Sequence, residues 1–312
     1  MISDLFLKPL SKTEGYQALV QAVEKNIGKT AAVFGLTEGA RTVLAGALSQ
    51  GRRTLVVTPS DQAALRMAEE SGCGEMRTLT DVGAGSGSAY WAVREVFGEP
   101  ERAVLVEREK GMMALGQSLG AQGEGVLWQR GDMLTAELPK ADLVTASFCL
   151  GELAPQDAEC MAARLWDAAE RMLLIVEPGT PAGHARIRRC IEILRERGAH
   201  MAAPCPGMGD CPLGADDWCH YAVRVERSRL HRFLKEGELP YEDEKFSFLA
   251  VTREAVHPAG ARVRRRPQVR SGYVELPLCR GDRIETVKVT RKSGNFKAAR
   301  KAEVGQRWEE QE

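Results

Sequence analysis

Arg77-Thr-Leu-Thr-Asp-Val-Gly-Ala-Gly-Ser-Gly87 is the stretch that decides the fold. A short β-forming run carries an acidic residue, Asp81, and breaks into glycines at Gly83, Gly85 and Gly87. Residues 88–97 then take up helical periodicity. A strand that ends in glycines and reopens as a helix is a ligand loop. Glycine lets the backbone approach a ligand closely, and the helix N-terminus presents N–H groups with no intrahelical partner. Toward the C-terminus the alternation continues, with strands expected over 103–107, 126–129, 142–147 and 173–177. Helices are expected over 110–119, 157–171 and 183–197. Strands alternating with helices predict a parallel sheet covered on both faces.

The glycine spacing narrows the ligand. Position 88 is Ser, so the pattern is G-x-G-x-G and not the G-x-G-x-x-G of dinucleotide sites. Asp81, just before the glycines, suits the cationic amino-acid portion of S-adenosylmethionine (SAM). Glu107, ending the next strand, can accept both ribose hydroxyls, at the carboxyl ends of the strands where open α/β sheets bind ligands. Asp132 follows the third strand as the expected adenine neighbour or, equally simply, as a surface turn. The expected cofactor-binding set is therefore Asp81, Gly83, Gly85, Gly87, Glu107 and Asp132 in a class I SAM-dependent methyltransferase sheet, Rossmann-like in type. A nicotinamide or other nucleotide, or a loop that has lost its ligand, are the alternatives.

Eight cysteines accompany no export signal, which argues against a disulfide framework. Cys73, Cys149, Cys160 and Cys190 lie in apolar or helical surroundings and read as small core residues. Cys205, Cys211, Cys219 and Cys279 lie among prolines, glycines and turns. The first three form C-x5-C-x7-C, and Cys279 follows sixty residues later. Four thiols in turn-rich sequence match tetrahedral zinc or an iron–sulfur cluster.

Charge divides the chain. Over 262–301 there are thirteen Lys and Arg against Glu275, Asp282 and Glu285, whereas 1–261 holds 29 basic and 36 acidic residues. A basic tail on an acidic body points to a polyanion, most simply nucleic acid, or to a merely solvated surface. Arg264, Arg265, Arg266, Arg270, Arg291 and Lys292 are the expected RNA contacts. In the strand-like stretches 273–278 and 283–289, alternation should leave one face packed and one in water. No apolar run approaches the roughly 20 residues that span a bilayer. The opening residues lack the basic start and apolar stretch of a signal peptide, so a cytoplasmic protein is expected.

Residues 1–70 read as a short α/β segment, with helices over 15–25 and 37–50, strands over 31–36 and 53–58, and Ser60 capping the next helix. It contains no phosphate loop, since Gly28-Lys-Thr30 has Val23 where the first glycine should be. FLKPL, VFGLTEGAR and TLVVTPSDQAA in this stretch resemble the start of bacterial transcription-repair coupling factors, without that family's helicase motifs. Three organisational units are expected: this segment (1–72), the methyltransferase-like domain with its cysteine-rich insertion at 204–220 (73–260), and a basic, β-rich extension (261–312).

Asp81-Val-Gly-Ala-Gly-Ser-Gly-Ser-Ala-Tyr-Trp91, Glu177-Pro-Gly-Thr-Pro-Ala-Gly183 and the run from Pro204 through Cys211 to His220 carry a second resemblance. So do Tyr241–Phe248 and Gly294–Lys301. Together they resemble the mitochondrial small-subunit ribosomal methyltransferase-like assembly factors and their bacterial relatives, over about 77–310. The resemblance implies a four-iron, four-sulfur (4Fe-4S) cluster on Cys205, Cys211, Cys219 and Cys279, and the small ribosomal subunit and its rRNA as partners. It leaves methyl transfer undecided. Ser147-Phe-Cys-Leu-Gly-Glu-Leu153 after the fourth strand lacks the polar-Pro-Pro-aromatic turn of base-nitrogen methyltransferases. Cys149 reads as core, and Glu152 as either a general base or a helix cap, so no catalytic residue is assigned.

Overall fold

The computed structural model describes residues 59–214, 216–226, 239 and 241–309. The helices and strands expected over 15–58 lie outside them.

The sequence from Arg77 onward folds as its periodicity dictates. Helix α1 (Pro59–Glu69) precedes β1 (Thr78–Val82), α2 (Ser88–Phe97), β2 (Arg102–Glu107), α3 (Lys110–Ser118), β3 (Val126–Arg130) and β4 (Ala141–Ser147). After one 3₁₀ turn come α4 (Pro155–Ala168), β5 (Ala169–Pro178), α5 (Pro181–Glu196), β6 (His200–Ala203), β7 (Tyr221–Glu226) and β8 (Tyr241–Thr252). The main sheet has the order β3-β2-β1-β4-β5-β8-β6, with β7 also paired to β8. β1 to β5 are mutually parallel, as expected, but β8 runs antiparallel to β5, β6 and β7. The all-parallel sheet is thus corrected to a mixed one. Its antiparallel part carries its own signal in the run Phe246-Ser-Phe-Leu-Ala-Val-Thr252.

Strand alternation sorts the core onto two faces. Met172, Leu174, Phe246, Phe248 and Ala250 pack with Leu65 and Ala68 of α1 and Tyr90 and Val93 of α2. Leu173, Ile175, Leu249 and Val251 pack on the other side with Met161 and Leu165 of α4 and Ile187 and Leu194 of α5. Ser60 lies within α1, one residue past its start, and is buried there; it does not cap the helix. α1 is in sequence part of the N-terminal segment, yet its apolar face closes the core of the main sheet. α4 stops at Ala168, before the expected 171, because β5 already begins at Ala169.

β6 and β7 lie along the same edge of the twelve-residue β8, opposite Ala250–Thr252 and Tyr241–Phe246 respectively. Residues 204–220 are therefore an excursion from one interrupted edge strand, and Ser247 Oγ donates to the Cys219 carbonyl at 2.8 Å across the gap.

The C-terminal residues form a second, four-stranded sheet: β9 (Arg262–Val263), β10 (Gln268–Val269), β11 (Tyr273–Cys279) and β12 (Ile284–Thr290), followed by α6 (Phe296–Lys301). The expected alternation is present. Val274, Leu276, Leu278 and Val289 pack with Val263, Ala299 and Trp308, while Tyr273, Glu275 and Cys279 face the other way.

Candidate functional site

The glycine loop closes the carboxyl end of β1, where strand order turns back from β2 to β4. Gly83, Gly85 and Gly87 all have left-handed backbone, with φ of +69°, +56° and +85°. A Cβ on Gly83 would meet Cys149 Cβ at 2.8 Å, so that position is closed to side chains on two counts. Gly87 stands as the α2 N-cap without a side-chain bond, leaving the first α2 amides toward the loop.

Asp81 is 1% exposed. Thr145 Oγ1 donates to its Oδ1 at 2.7 Å, and Oδ2 is buried with no hydrogen-bond partner among the described residues. Burial pushes the carboxyl up to about 7; the Thr145 bond opposes the rise, and the charges of Asp61 and Glu107 add to it. Asp61, on α1, is fully buried and accepts from Ser147 Oγ at the end of β4. Sequence reading missed Asp61, because only the docking of α1 brings it beside the β1–β4 edge. Glu107 braces the loop. Gly85 N donates to Oε2 and Glu109 N to Oε1, each at 2.8 Å. Asp132 accepts from Leu134 N at 2.9 Å and lies 3.7 Å from Arg108, so it closes its own turn at the sheet's far edge.

Beyond β4, Phe148 has φ +57° and donates its N–H to the Val176 carbonyl at 2.8 Å. The Cys149 thiol is buried and lies 3.5 Å from the Val82 carbonyl, against the core, as expected. Glu152 is exposed, at the end of the 3₁₀ turn. Glu177, fully buried at the end of β5, is paired with Arg186 at 2.8 Å; burial raises its carboxyl and the arginine opposes that.

The structure places the four turn-region cysteines around one cavity. Cys205, Cys211, Cys219 and Cys279 line one cavity with Pro204, Pro206, Tyr221, Arg262 and Arg264. Cys279 reaches it because β11 ends there, with its backbone opposite Arg262. Among the described residues no three or more His, Cys, Asp or Glu are gathered into a group that could hold a metal ion. Burial, then the charges of the other three cysteines, push the Cys205 thiol well above its ordinary value; Arg262 opposes. Burial likewise raises Cys219, to about 11, and Cys279, with Arg264 opposing at both.

The basic residues divide. Arg264 is 11% exposed and paired with Asp217, and Arg265 donates to the same carboxylate at 2.7 Å. Both tie the cysteine excursion to the second sheet; Arg264 is thereby drawn off the expected RNA surface, while Arg265 stays 38% exposed. Arg266 is 77% exposed, 3.6 Å from Asp243. Arg270, Arg291 and Lys292 are exposed and gather at one end of the second sheet, where Arg291 N bonds to the Gly272 carbonyl. Arg270 also contacts Glu275 at 3.5 Å. Cys279 lies at the other end of the same strand, seven residues or about 20 Å away. No helix among the described residues is long and apolar enough to cross a membrane.

Comparison with known proteins gives this arrangement its relatives. The human mitochondrial ribosome assembly protein METTL17 is 27% identical over 195 residues, covering 57% of this chain and 42% of the human protein, so the chain spans less than half of that relative's length. Similar solved structures include the magnesium protoporphyrin IX methyltransferase of Synechocystis PCC 6803 with bound SAM, with TM-score 0.42 and 13% identity over 72% of this chain and 87% of that one. A ribosomal protein L11 methylase from Lactobacillus delbrueckii subsp. bulgaricus has TM-score 0.40 and 14% identity over 64% of this chain and 81% of that one. The family model for the mitochondrial small ribosomal subunit protein Rsm22 matches residues 66–309, from α1 through the cysteine excursion and the second sheet. The chain belongs to the Rsm22 family.

Proposed function

We propose that this chain is a SAM-binding, methyltransferase-like factor that holds a 4Fe-4S cluster and engages the rRNA of the small ribosomal subunit during its assembly. The observation that carries the ligand reading is the buried, unpartnered Oδ2 of Asp81 beside three left-handed glycines. A buried carboxylate oxygen without a donor costs free energy that a cationic group recovers. The α-ammonium of SAM is such a group, and the buried charge of Asp61 acts on Asp81 as well. Glu107 holds the loop through two amides, and its remaining lone pairs are the acceptors for ribose hydroxyls. Asp132, with Arg108 beside it, is the adenine neighbour in this reading. When bound, SAM supplies an electrophilic methyl group.

Cys205, Cys211, Cys219 and Cys279 would hold the cluster. Their thiols line one cavity, and four thiols are the donor set that a cluster takes. The cluster would supply a rigid link between the excursion and the second sheet. Arg266, Arg270, Arg291 and Lys292 form the rRNA-facing surface. With few aromatics to stack on bases, it suits phosphate and shape recognition.

A second reading, an assembly factor that binds SAM and RNA without methyl transfer, is favoured by Cys149. Its thiol is committed to the core, so the post-β4 turn offers no exposed cysteine for cytosine C5 transfer, the chemistry that needs one. Calorimetry with SAM and transfer of labelled methyl to small-subunit rRNA test both levels. Binding with transfer supports the enzyme, and binding without transfer supports the second reading. Absence of SAM binding overturns the ligand assignment.

A further inference from the structure

Arg262 and Arg264 are two residues apart in extended backbone, so both project from one side of the chain while Val263 enters the core of the second sheet. That side is the cysteine cavity, which both arginines line. Arg262 is 2% exposed; its Nε donates to the Pro204 carbonyl at 2.8 Å, and its Nη1 to the Gly305 carbonyl at 2.7 Å and to Glu70 at 3.3 Å. Arg264 differs. Its Nη2 is held by Asp217, but its Nε–H is buried and has no partner among the described residues. A buried guanidinium N–H without an acceptor is costly, and the cysteine sulfurs are among the acceptors around the same cavity, with His184, Tyr221 and Ser247.

We infer that Arg264 is a positioning residue for the iron–sulfur centre, donating its Nε–H to a sulfur of that centre and, with Arg262, supplying its counter-charge. This rests on the cluster assignment above. A centre ligated by four thiolates is anionic, and it becomes more so when it gains an electron. Hydrogen bonds to its sulfurs and nearby positive charge therefore raise its reduction potential. Asp217 acts in the opposite sense, because its carboxylate neutralises Arg264 and Arg265.

The test is voltammetry on the full chain purified anaerobically, the electrode supplying the electron, with iron and sulfide content measured alongside. R264Q is expected to move the potential to a more negative value. R264K, which keeps the charge and the Asp217 pair but loses Nε, should move it less far in the same direction. D217N should move it to a more positive value. A mere loop-pinning role predicts otherwise, since R264Q and D217N break the same contact and would then shift together. Iron held with an unmoved potential in R264Q and R264K, or R264Q and D217N shifting in one direction, overturns the inference alone. A wild-type chain without iron and sulfide overturns the cluster assignment and the inference with it.

Discussion

Taken out of water and satisfied on only one oxygen, Asp81 holds its proton up to about pH 7, with Asp61 and Glu107 discouraging ionisation further. A carboxyl whose folded-state value lies above its unfolded one favours the fold below the ordinary carboxylate range. That advantage is lost as pH rises through the folded value, here between about 4 and 7. Asp81→Asn keeps an acceptor for Thr145 but cannot ionise. It should flatten the stability profile in that window and raise stability by about 2–4 kcal/mol above pH 7, as read by denaturant unfolding at several pH values. The same variant should lose SAM affinity, because the ammonium needs the ionised carboxylate. In the parent, affinity should strengthen as pH rises through 7. Glu107→Ala removes the acceptor for the Gly85 and Glu109 amides together with the proposed ribose contact. It should weaken SAM binding by about 1.5–3 kcal/mol in calorimetry. At this scale the glycines, Asp81 and Glu107 were legible because a strand–loop–helix transition places them by itself. Asp61 was not, since no local pattern tells which side chain of α1 meets the end of β4.

Elements come together at Arg262. Its guanidinium joins the start of the cysteine excursion at Pro204, the C-terminal segment at Gly305 and Glu70, the residue that follows α1. Arg262→Ala leaves two buried carbonyls without their donor and should cost about 2–4 kcal/mol in thermal or denaturant unfolding. The same reach explains what sequence reading misjudged. Arg262, Arg264, Arg265 and Arg266 are four basic residues in five positions and read as a charged surface. Yet β9 pairs with β11 beside Cys279, and that pairing turns the first two inward. Charge counts do not register strand pairing between distant segments. β6, β7 and β8 escaped detection for a related reason: the cysteine excursion splits one edge strand into two short runs whose common partner lies downstream.

Across the whole molecule, the two proposed sites lie at opposite ends of β11. The cysteine cavity lies at Cys279, and the basic end at Arg270, Arg291 and Lys292. Replacing Arg266, Arg291 and Lys292 with Ala should weaken binding to structured rRNA and reduce its salt dependence, since each neutralised phosphate releases counterions. Iron content and SAM affinity should not change, and filter binding across a salt series checks all of this. In the reading proposed above, four cysteines separated by as much as 74 positions hold one centre that ties the second sheet to the main sheet. Cys279→Ser, purified anaerobically beside the parent, is the decisive comparison. Iron, acid-labile sulfide and broad visible absorption are expected in the parent, and loss of all three in the variant although Cys205, Cys211 and Cys219 remain. Equal iron, sulfide and absorption in the two proteins would contradict that reading.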